Sequence, residues 1–293
     1  MTQRVIIVGT DGTDSSLAAV EWAAREAQRR GLPLRIVYAY DWDWHESRVD
    51  IGTEYVDVAR QLADAVAAFA YDRAREVAPN ANISTDTLVG HAVARLLEVT
   101  RGAELLVLGS RGRGGFTSLL LGSVSQRMSV HAPCPVVIVR GRALADGPVV
   151  AAVDDSPIGE LVLAAAFDAA AGLDRPLTVV HSHPAPVPTW LTDIPPAAVI
   201  TNPEQDTAER DRLDQRLLPW RAKYPGVPVD AVLTHDSAAS WLVDASRAAS
   251  LLVLGPSHGG TVSRALLGST VLQVLHHADC PVLITRPDPE DTR

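Results

Sequence analysis

Lysine is almost absent from this chain of 293 residues, because Lys223 is the single lysine that the sequence contains. A P-loop needs a lysine that follows its glycines and reaches the β and γ phosphates, and Lys223 belongs to no such motif. Cysteine is also scarce, since only Cys134 and Cys280 occur. These two residues can form neither a disulfide framework nor a CxxC metal or redox motif. The sequence thus excludes a P-loop, and we expect both cysteines to be buried structural residues.

Positive charge is in short supply as well. The net charge is −9 at pH 7, which disfavours binding to nucleic acid or to anionic lipid, because both need a surface that neutralises phosphate groups. The apolar run near the N-terminus, residues 5–9, is too short for a signal-peptide core or a membrane-spanning helix. We therefore expect a cytoplasmic protein with no nucleic-acid partner and no membrane insertion.

The chain contains an internal repeat. Residues 109–112 read Gly-Ser-Arg-Gly and are followed, after nine residues, by Gly-Ser at 122–123. Residues 255–258 read Gly-Pro-Ser-His and are followed, after nine residues, by Gly-Ser at 268–269. One offset of about 146 residues relates these motifs and also the two cysteines, as expected of a duplicated unit.

Each half alternates strands with helices. The pattern predicts strands at 5–11, 34–40, 83–89, 105–108 and 136–139 and, in the second half, at 149–154, 177–182, 229–233, 251–254 and 282–285. It predicts helices at 15–30, 55–77, 92–100 and 123–130 and, in the second half, at 157–171, 204–224, 239–248 and 269–276.

These elements predict an α/β protein with two tandem doubly wound domains, each with a parallel sheet of the Rossmann-like type, at residues 1–142 and 147–287. Strands that are apolar without alternation are buried on both faces, and β-α-β connections make neighbouring strands parallel. Ligands of such sheets bind beyond the carboxyl ends of the strands. Both glycine motifs directly follow such an end, and glycines followed by a helix N-terminus suit the binding of phosphate.

The first glycine motif does not fit the dinucleotide fingerprint. The segment 112–117 lacks its third glycine. GxxG, nine residues and then Gly-Ser is instead the pattern of the ATP-binding kind of universal stress protein, which the chain resembles over both halves. Gly109, Gly112, Gly122 and Ser123 match every position of that motif.

The resemblance implies that the protein binds ATP, with Mg²⁺ arriving on the nucleotide. In that family an Asp after the first strand helps to hold the nucleotide, and Asp11 and Asp154 occupy that place in the two halves. The candidate nucleotide-binding residues of the first half are Asp11, Ala39, Gly109, Arg111, Gly112, Arg113, Gly122, Ser123 and Val124. Those of the second half are Asp154, Gly255, His258, Gly268 and Ser269.

Several of these residues also have a purely structural interpretation. Ser123 with Gln126 forms an SxxQ sequence, which is a helix capping box without any ligand. Asp11 is equally suited to forming the turn ahead of the first helix. Arg111 and Arg113 can supply charge to a phosphate or can simply be solvated.

The second half departs from the motif at two positions. His258 stands where the first half has Gly112, and its Cβ and imidazole would hinder a close approach of phosphate to the backbone. Pro256 lacks an amide donor. We expect nucleotide in the first domain; His258 leaves open a pH-sensitive phosphate contact or a second site that retains only a structural role.

Paired histidines raise the question of a metal site. His181 and His183 are two residues apart at a strand end, and His276 and His277 are adjacent. Because no third ligand has suitable spacing, the sequence favours solvated or helix-terminal roles for all four.

Two loops after the second strand of each half contain tryptophan, with Trp42 and Trp44 in the first half and Trp190 in a proline-rich segment of the second. Such loops suit a lid or a partner surface, and Trp190 could equally cover the helix beneath it.

The sequence favours a binding module over an enzyme. The first motif contains no Glu, His or Lys for phosphoryl transfer. The resemblance implies an ATP-binding stress-response and growth-regulating protein whose state is read by a regulatory protein partner. The alternatives are a slow Mg-dependent ATPase that uses Asp11 or Asp155, and a ligand-free dimeric scaffold. The resemblance also implies that the last strands, 136–139 and 282–285, pair within one chain, and we expect a homodimer.

Overall fold

The structure is a computed structural model of the chain and describes residues 4–40, 53–112, 121–141, 146–183, 203–256 and 267–287. The chain forms two compact units. The first comprises Met1–Arg140, Ser263–Leu267 and Val282–Arg293, and the second comprises Gly141–Val262 and Gly268–Pro281.

Among the described residues, the N-terminal segment of the first unit contains five mutually parallel strands and four helices. Its strands are β1 (Ile6–Thr10), β2 (Leu34–Tyr40), β3 (Ile83–Val89), β4 (Leu105–Gly109) and β5 (Val136–Val139). Its helices are α1 (Asp14–Arg30), α2 (Thr53–Val77), α3 (Ala92–Val99) and α4 (Ser123–His131). The strand order is β3-β2-β1-β4-β5, so the order reverses at β1 and the carboxyl ends of β1 and β4 lie side by side.

The second unit repeats this plan. Its strands are β6 (Val149–Val153), β7 (Leu177–Ser182), β8 (Val229–Thr234) and β9 (Leu251–Leu254). Its helices are α5 (Ile158–Leu173), α6 (Pro203–Lys223), α7 (Ala238–Ala245) and α8 (Ser269–His277). Parallel pairing gives the order β8-β7-β6-β9, which again reverses at the first strand. The predicted doubly wound α/β fold is confirmed in both units.

The last strand, β10 (Val282–Ile284), groups with the first unit and pairs with β5 in the antiparallel sense. Val282 lies opposite Ile138, and Ile284 lies opposite Val136. This confirms the expected pairing of the two terminal strands. The pairing covers the edge of β5, whose four residues are all buried.

Local sequence explains how α1 begins and ends. Thr13 caps its N-terminus by accepting a hydrogen bond from the Ser16 N–H at 3.4 Å. Gly31 ends it in the left-handed conformation, with φ of 64°, where a side chain would be strained. Between them, small apolar residues recur at helical spacing and are fully buried: Ala19, Val20, Ala23, Ala24 and Ala27. This stripe packs α1 against the sheet.

Helix α7 ends earlier than its sequence predicts. The alanine-rich run favours a helix to residue 248, but the helix ends at Ala245. The hydroxyl of Ser246 donates to the carbonyl of Val243 and accepts from the backbone N–H of Asp279 at 2.9 Å. Because Asp279 is distant in sequence, helix propensity alone could not predict this end.

Some predicted functional residues lie outside the described part of the chain. They are Trp42, Trp44, Arg113, Trp190 and His258.

Candidate functional site

The carboxyl end of β1 forms a tight turn around Asp11. Its Oδ1 accepts hydrogen bonds from the Thr13 N–H at 3.1 Å and from the Thr13 hydroxyl at 2.6 Å. Asp11 therefore does form the turn before α1, as the structural interpretation predicts. The turn also fixes the carboxylate in place at the strand end.

The other carboxylate oxygen of Asp11 faces Gly112. A Cβ built on Gly112 would lie 2.5 Å from Asp11 Oδ2, which is closer than real contacts allow. Position 112 is therefore restricted to glycine as long as the carboxylate keeps this position. This contact joins two residues that sequence analysis selected on separate grounds.

Ser15 fastens the loop after β4 to the start of α1. Its hydroxyl accepts a hydrogen bond from the Arg111 N–H at 3.1 Å. Its carbonyl oxygen lies 2.5 Å from where a Cβ on Gly109 would be. Gly109 is thus required for the close approach of strand and helix. Ser15 was not among the predicted site residues, because its role depends on a loop 96 positions away.

The same loop also contacts the start of α4. The Gly122 N–H donates to the Ser110 carbonyl at 2.8 Å. The Ser125 hydroxyl donates to the Gly109 carbonyl at 2.6 Å. A Cβ on Gly122 would lie 3.5 Å from the backbone nitrogen of Gly112. The structure therefore brings the loop and the N-terminus of α4 together, as the spacing of the glycine motif predicts.

Ser123 is the first residue of α4 and its side chain is exposed. Gly122 occupies the N-cap position, and no side chain makes a capping hydrogen bond there. The capping-box interpretation of Ser123 and Gln126 is therefore wrong, because a capping serine must precede the first helical residue. The Arg111 side chain is also exposed, whereas Ala39 and Val124 are half-buried.

This arrangement can hold an anion beside a hydrogen-bond acceptor. The N-terminus of α4 carries the positive end of the helix dipole and backbone N–H groups that the helix leaves unpaired. Ser123 begins this helix, and Arg111 belongs to the glycine loop that contacts the helix start. Asp11 contributes a carboxylate, which suits hydroxyl or amino groups rather than phosphate.

The second unit keeps the turn but changes its surroundings. Asp154 Oδ1 accepts from the Ser156 N–H at 3.1 Å and from the Ser156 hydroxyl at 2.5 Å, which reproduces the turn at Asp11. Ile158 then stands where the first unit has Ser15, and it packs against Gly255 so closely that a Cβ there would overlap it. An apolar contact thus replaces the hydroxyl that fastens the first glycine loop.

An arginine from α6 also reaches this strand end. Arg216 donates to the Asp154 carbonyl at 2.6 Å and to Glu160 Oε1 at 2.6 Å. Gly268 caps α8, with Ser269 exposed as its first residue. The second unit therefore retains the helix start and the aspartate, without the polar clamp of the first.

The histidines differ from the sequence prediction in one pair. His276 and His277 lie in the last turn of α8, which confirms a helix-terminal role. His181, however, is buried, and its ring lies near the ring of His183 and the carboxylate of Glu209. The prediction of a solvated side chain is therefore wrong for His181, and Glu209 lies close enough to the pair to be a third potential ligand. Glu209 was missed because it belongs to a helix 26 positions further along the chain.

Both cysteines are free thiols and buried, as predicted. Burial raises the pKa of the Cys134 thiol to about 12, although the nearby Arg286 guanidinium acts in the opposite direction. A thiol with this pKa is almost entirely protonated at neutral pH, so Cys134 is a packing residue and not a nucleophile.

Comparisons with known proteins define the class. A model of the universal stress protein family matches residues 2–140 and 147–286. A universal stress protein of Mycobacterium tuberculosis is 35% identical over 303 aligned positions, which cover 97% of each chain. One of Mycolicibacterium smegmatis is 32% identical over 305 positions, which cover 98% of each.

A universal stress protein from Archaeoglobus fulgidus has a similar crystal structure. Its TM-score is 0.71 at 18% identity, and the match covers 98% of this chain and 99% of that one. At that identity the similarity establishes the fold. Together with the family match, it shows that the chain belongs to the universal stress protein family, with two such domains in tandem. Among the described residues, no helix is both long and apolar enough to cross a membrane.

Proposed function

We propose that the first unit binds ATP, together with Mg²⁺, at the carboxyl ends of β1 and β4. The protein would then act as a nucleotide-dependent binding module in the stress response. The observation that carries the proposal is the contact between Asp11 and Gly112, where a Cβ would lie 2.5 Å from the carboxylate. A side chain is excluded at the point where the glycine motif needs bare backbone.

Each part of the site has a role in this proposal. The backbone N–H of Gly112 and those at the start of α4 would bind phosphate oxygens, and Ser123 would add a hydroxyl donor. Asp11 would accept hydrogen bonds from the nucleoside part. Ala39 and Val124 are apolar and half-buried, as suits contact with a base. Arg111 would supply positive charge that a lysine supplies in P-loops.

We propose no equivalent nucleotide site in the second unit. Ile158 packs where Ser15 fastens the first loop. Arg216 engages the Asp154 carbonyl at 2.6 Å, at the strand end where the nucleotide would bind. Pro256 also removes an N–H group from the glycine loop. The first change removes the acceptor that holds the glycine loop, the second places a side chain at the strand end, and the third removes a donor.

The experiment that tests the proposal measures nucleotide bound to the purified chain. Protein is denatured, released nucleotide is quantified by anion-exchange chromatography, and Mg-ATP affinity is measured by calorimetry. We expect one ATP per chain for the wild type. Gly112→Ala should displace the Asp11 carboxylate, at a cost of about 1–3 kcal/mol, or roughly 5- to 150-fold in affinity.

Gly226→Ala is the matched control, because a Cβ at Gly226 meets nothing within 4 Å. It should bind nucleotide like the wild type. The proposal is overturned if the wild type neither retains nor takes up ATP, or if Gly112→Ala binds as tightly as Gly226→Ala. Competition by cyclic AMP or ADP shows whether the affinity of the site depends on the number of phosphates.

The same samples distinguish a binding module from an enzyme. Phosphate release that saturates with ATP and disappears in Gly112→Ala would favour a slow ATPase. Binding without release would favour a module whose nucleotide state a regulatory protein partner reads. We also propose that the protein is a homodimer in the cytoplasm. Light scattering of the purified chain, with and without ATP, tests the oligomeric state.

A further inference from the structure

Two histidines lie at the carboxyl end of strand β7. His181 is the penultimate residue of the strand, and His183 directly follows its last residue, Ser182. In the first unit the equivalent positions hold Tyr38 and Tyr40, because the β1–β2 register pairs Thr10 with Tyr38 as the β6–β7 register pairs Val153 with His181. Two tyrosine rings, stacked at 6.1 Å, are thus replaced by two imidazoles.

Helix α6 brings a carboxylate to the same place. Glu209 is 8% exposed, although glutamate is rarely buried without a partner. Counted from the last residue of each helix, Glu209 corresponds to Ala63 of α2, which is also buried. The second unit therefore has a buried carboxylate where the first has a methyl group. Burying a carboxylate is costly unless it is paired or coordinates a metal.

The three side chains converge. One potential ligand atom from each of His181, His183 and Glu209 lies within 4.8 Å of the other two. Among the residues that the structure describes, these three are the histidine, cysteine or acidic side chains that lie close enough together to hold a metal ion. An ion bound at about 2.0–2.1 Å to each ligand would need only small side-chain movements to draw these atoms together.

Hydrogen bonds orient His181 for ligation. Its Nδ1 lies 3.1 Å from the Val153 carbonyl oxygen. A carbonyl can only accept, so in the neutral ring Nδ1 carries the proton and Nε2 has the lone pair that an ion needs. A histidine that donates one N–H to a backbone carbonyl and offers the other nitrogen to the ion is the usual arrangement at protein metal sites.

His183 is held from both sides of its backbone. Its N–H donates to the Thr234 carbonyl at 2.9 Å, and its own carbonyl accepts from His235 Nδ1 at 2.9 Å. The Gln205 amide lies 3.0 Å from His183 Nε2. An amide that donates to Nε2 would occupy its lone pair, whereas the amide turned over accepts from the Nε2–H and leaves the Nδ1 lone pair for an ion, so ligation by His183 uses the second orientation.

One oxygen of Glu209 already has a partner. Glu209 Oε1 accepts from Arg212 at 2.5 Å, and the Arg212 side chain is 68% exposed. A pair with one exposed member is weak compared with a coordinated ion. The ion would therefore share the carboxylate with Arg212 through Oε2 or displace Arg212 into solvent.

We infer that His181, His183 and Glu209 form a binding site for a divalent transition-metal ion in the second unit. Two imidazoles and one carboxylate suit Zn²⁺ or Fe²⁺, whereas Mg²⁺ prefers oxygen ligands alone. Three protein ligands leave a coordination position open for water or another ligand. The inference is independent of the proposed nucleotide site, because no residue of that site takes part.

The experiment uses Zn²⁺ with the chelator-treated full-length chain and no nucleotide. Equilibrium dialysis followed by mass spectrometry of the metal should give one Zn²⁺ per chain. Loss of an outer-shell partner alone costs about 10- to 100-fold in metal affinity, so His181→Ala and Glu209→Gln should each lose more than about tenfold. X-ray absorption should show nitrogen and oxygen ligands only, without sulfur from the cysteines.

Matched controls remove similar groups elsewhere. His276→Ala with His277→Ala removes two histidines of α8, and Glu98→Gln removes a carboxylate that pairs with Arg95 on the surface. Both should bind Zn²⁺ like the wild type. Glu209→Ala introduces the residue type that the first unit tolerates at this point of the helix, so it should fold and still lose the ion.

Either of two results would overturn the inference. One is no stoichiometric Zn²⁺ on the folded wild type. The other is equal Zn²⁺ affinity in the wild type and in Glu209→Ala, with both shown to be folded by circular dichroism. Gly112→Ala should bind Zn²⁺ normally, so failure of the nucleotide proposal and failure of the metal site give different results.

Discussion

The Arg111 N–H donates to the Ser15 hydroxyl at 3.1 Å and so fastens the glycine loop of the first unit to the start of α1. The second unit has Ile158 at the equivalent position. The duplicated domains thus have a hydroxyl in one and an apolar side chain in the other at the point where the first unit's loop is held by a polar contact. This difference agrees with a nucleotide site in the first unit alone.

Ser15→Ala should weaken nucleotide binding. The variant removes one hydrogen bond to the loop, which is worth about 1 kcal/mol, or roughly fivefold in affinity. Calorimetry with Mg-ATP measures the change. Ser182→Ala is the control, because Ser182 donates to the Asp236 carbonyl in the other unit. Equal losses of affinity in both variants would contradict a specific role for Ser15.

Ser123→Ala should leave stability almost unchanged and reduce nucleotide affinity. Gly122 holds the N-cap of α4, so the Ser123 hydroxyl is not needed to begin the helix. Losing its hydrogen bond to phosphate should cost about 1.5 kcal/mol, or roughly tenfold. Urea denaturation and calorimetry on the same samples separate the two effects.

Ser237→Ala provides the opposite case. Ser237 caps α7 and accepts from the Ser240 N–H at 3.2 Å. Its removal should lower the free energy of unfolding by about 1 kcal/mol without changing nucleotide affinity. If Ser123→Ala destabilises the protein as much as Ser237→Ala, the assignment of Gly122 as the cap is wrong.

Glu26→Gln should destabilise the protein in a pH-dependent way. Burial raises the pKa of the Glu26 carboxyl, but hydrogen bonds and positive charge from Arg29 and Arg30 outweigh burial and hold the pKa below its ordinary value. A lowered pKa stabilises the fold above the unfolded value of about 4.3. This stabilisation is lost as the pH falls further, through the folded-state value.

The expected loss for Glu26→Gln at pH 7 is about 1.5–3 kcal/mol, the worth of hydrogen bonds to a charged group. The difference from the wild type should shrink as the pH falls from 5 towards 3. Urea denaturation across this range measures it. A difference that stays constant with pH would show that the charge of Glu26 does not contribute.

Cys134 should react very slowly with alkylating reagents in the folded protein. Burial raises its pKa to about 12, and only the thiolate reacts. In a Cys280→Ser background, iodoacetamide labelling at pH 8 should be negligible without denaturant and rapid in urea. Fast labelling of folded protein would show that the thiol is accessible.

The periodicity of the sequence predicted nearly every helix and strand of both units, because those signals come from neighbouring residues. Five of the ten described strands, those at 34–40, 83–89, 136–139, 177–182 and 251–254, have the predicted bounds. The end of α7 was not predictable, since Ser246 is engaged by Asp279 from another part of the chain. The cap of α4 was not predictable either, because Gly122 and Ser123 both suit that position.

The sequence by itself determined the duplication, the two α/β domains, the absence of a P-loop and the glycine motif of the first half. All of these depend on residue type and short spacing. Only the tertiary structure placed Asp11 Oδ2 against Gly112 and Glu209 beside His181 and His183. Such contacts join residues far apart in the chain, so their existence depends on how helices pack over the sheet and not on local pattern.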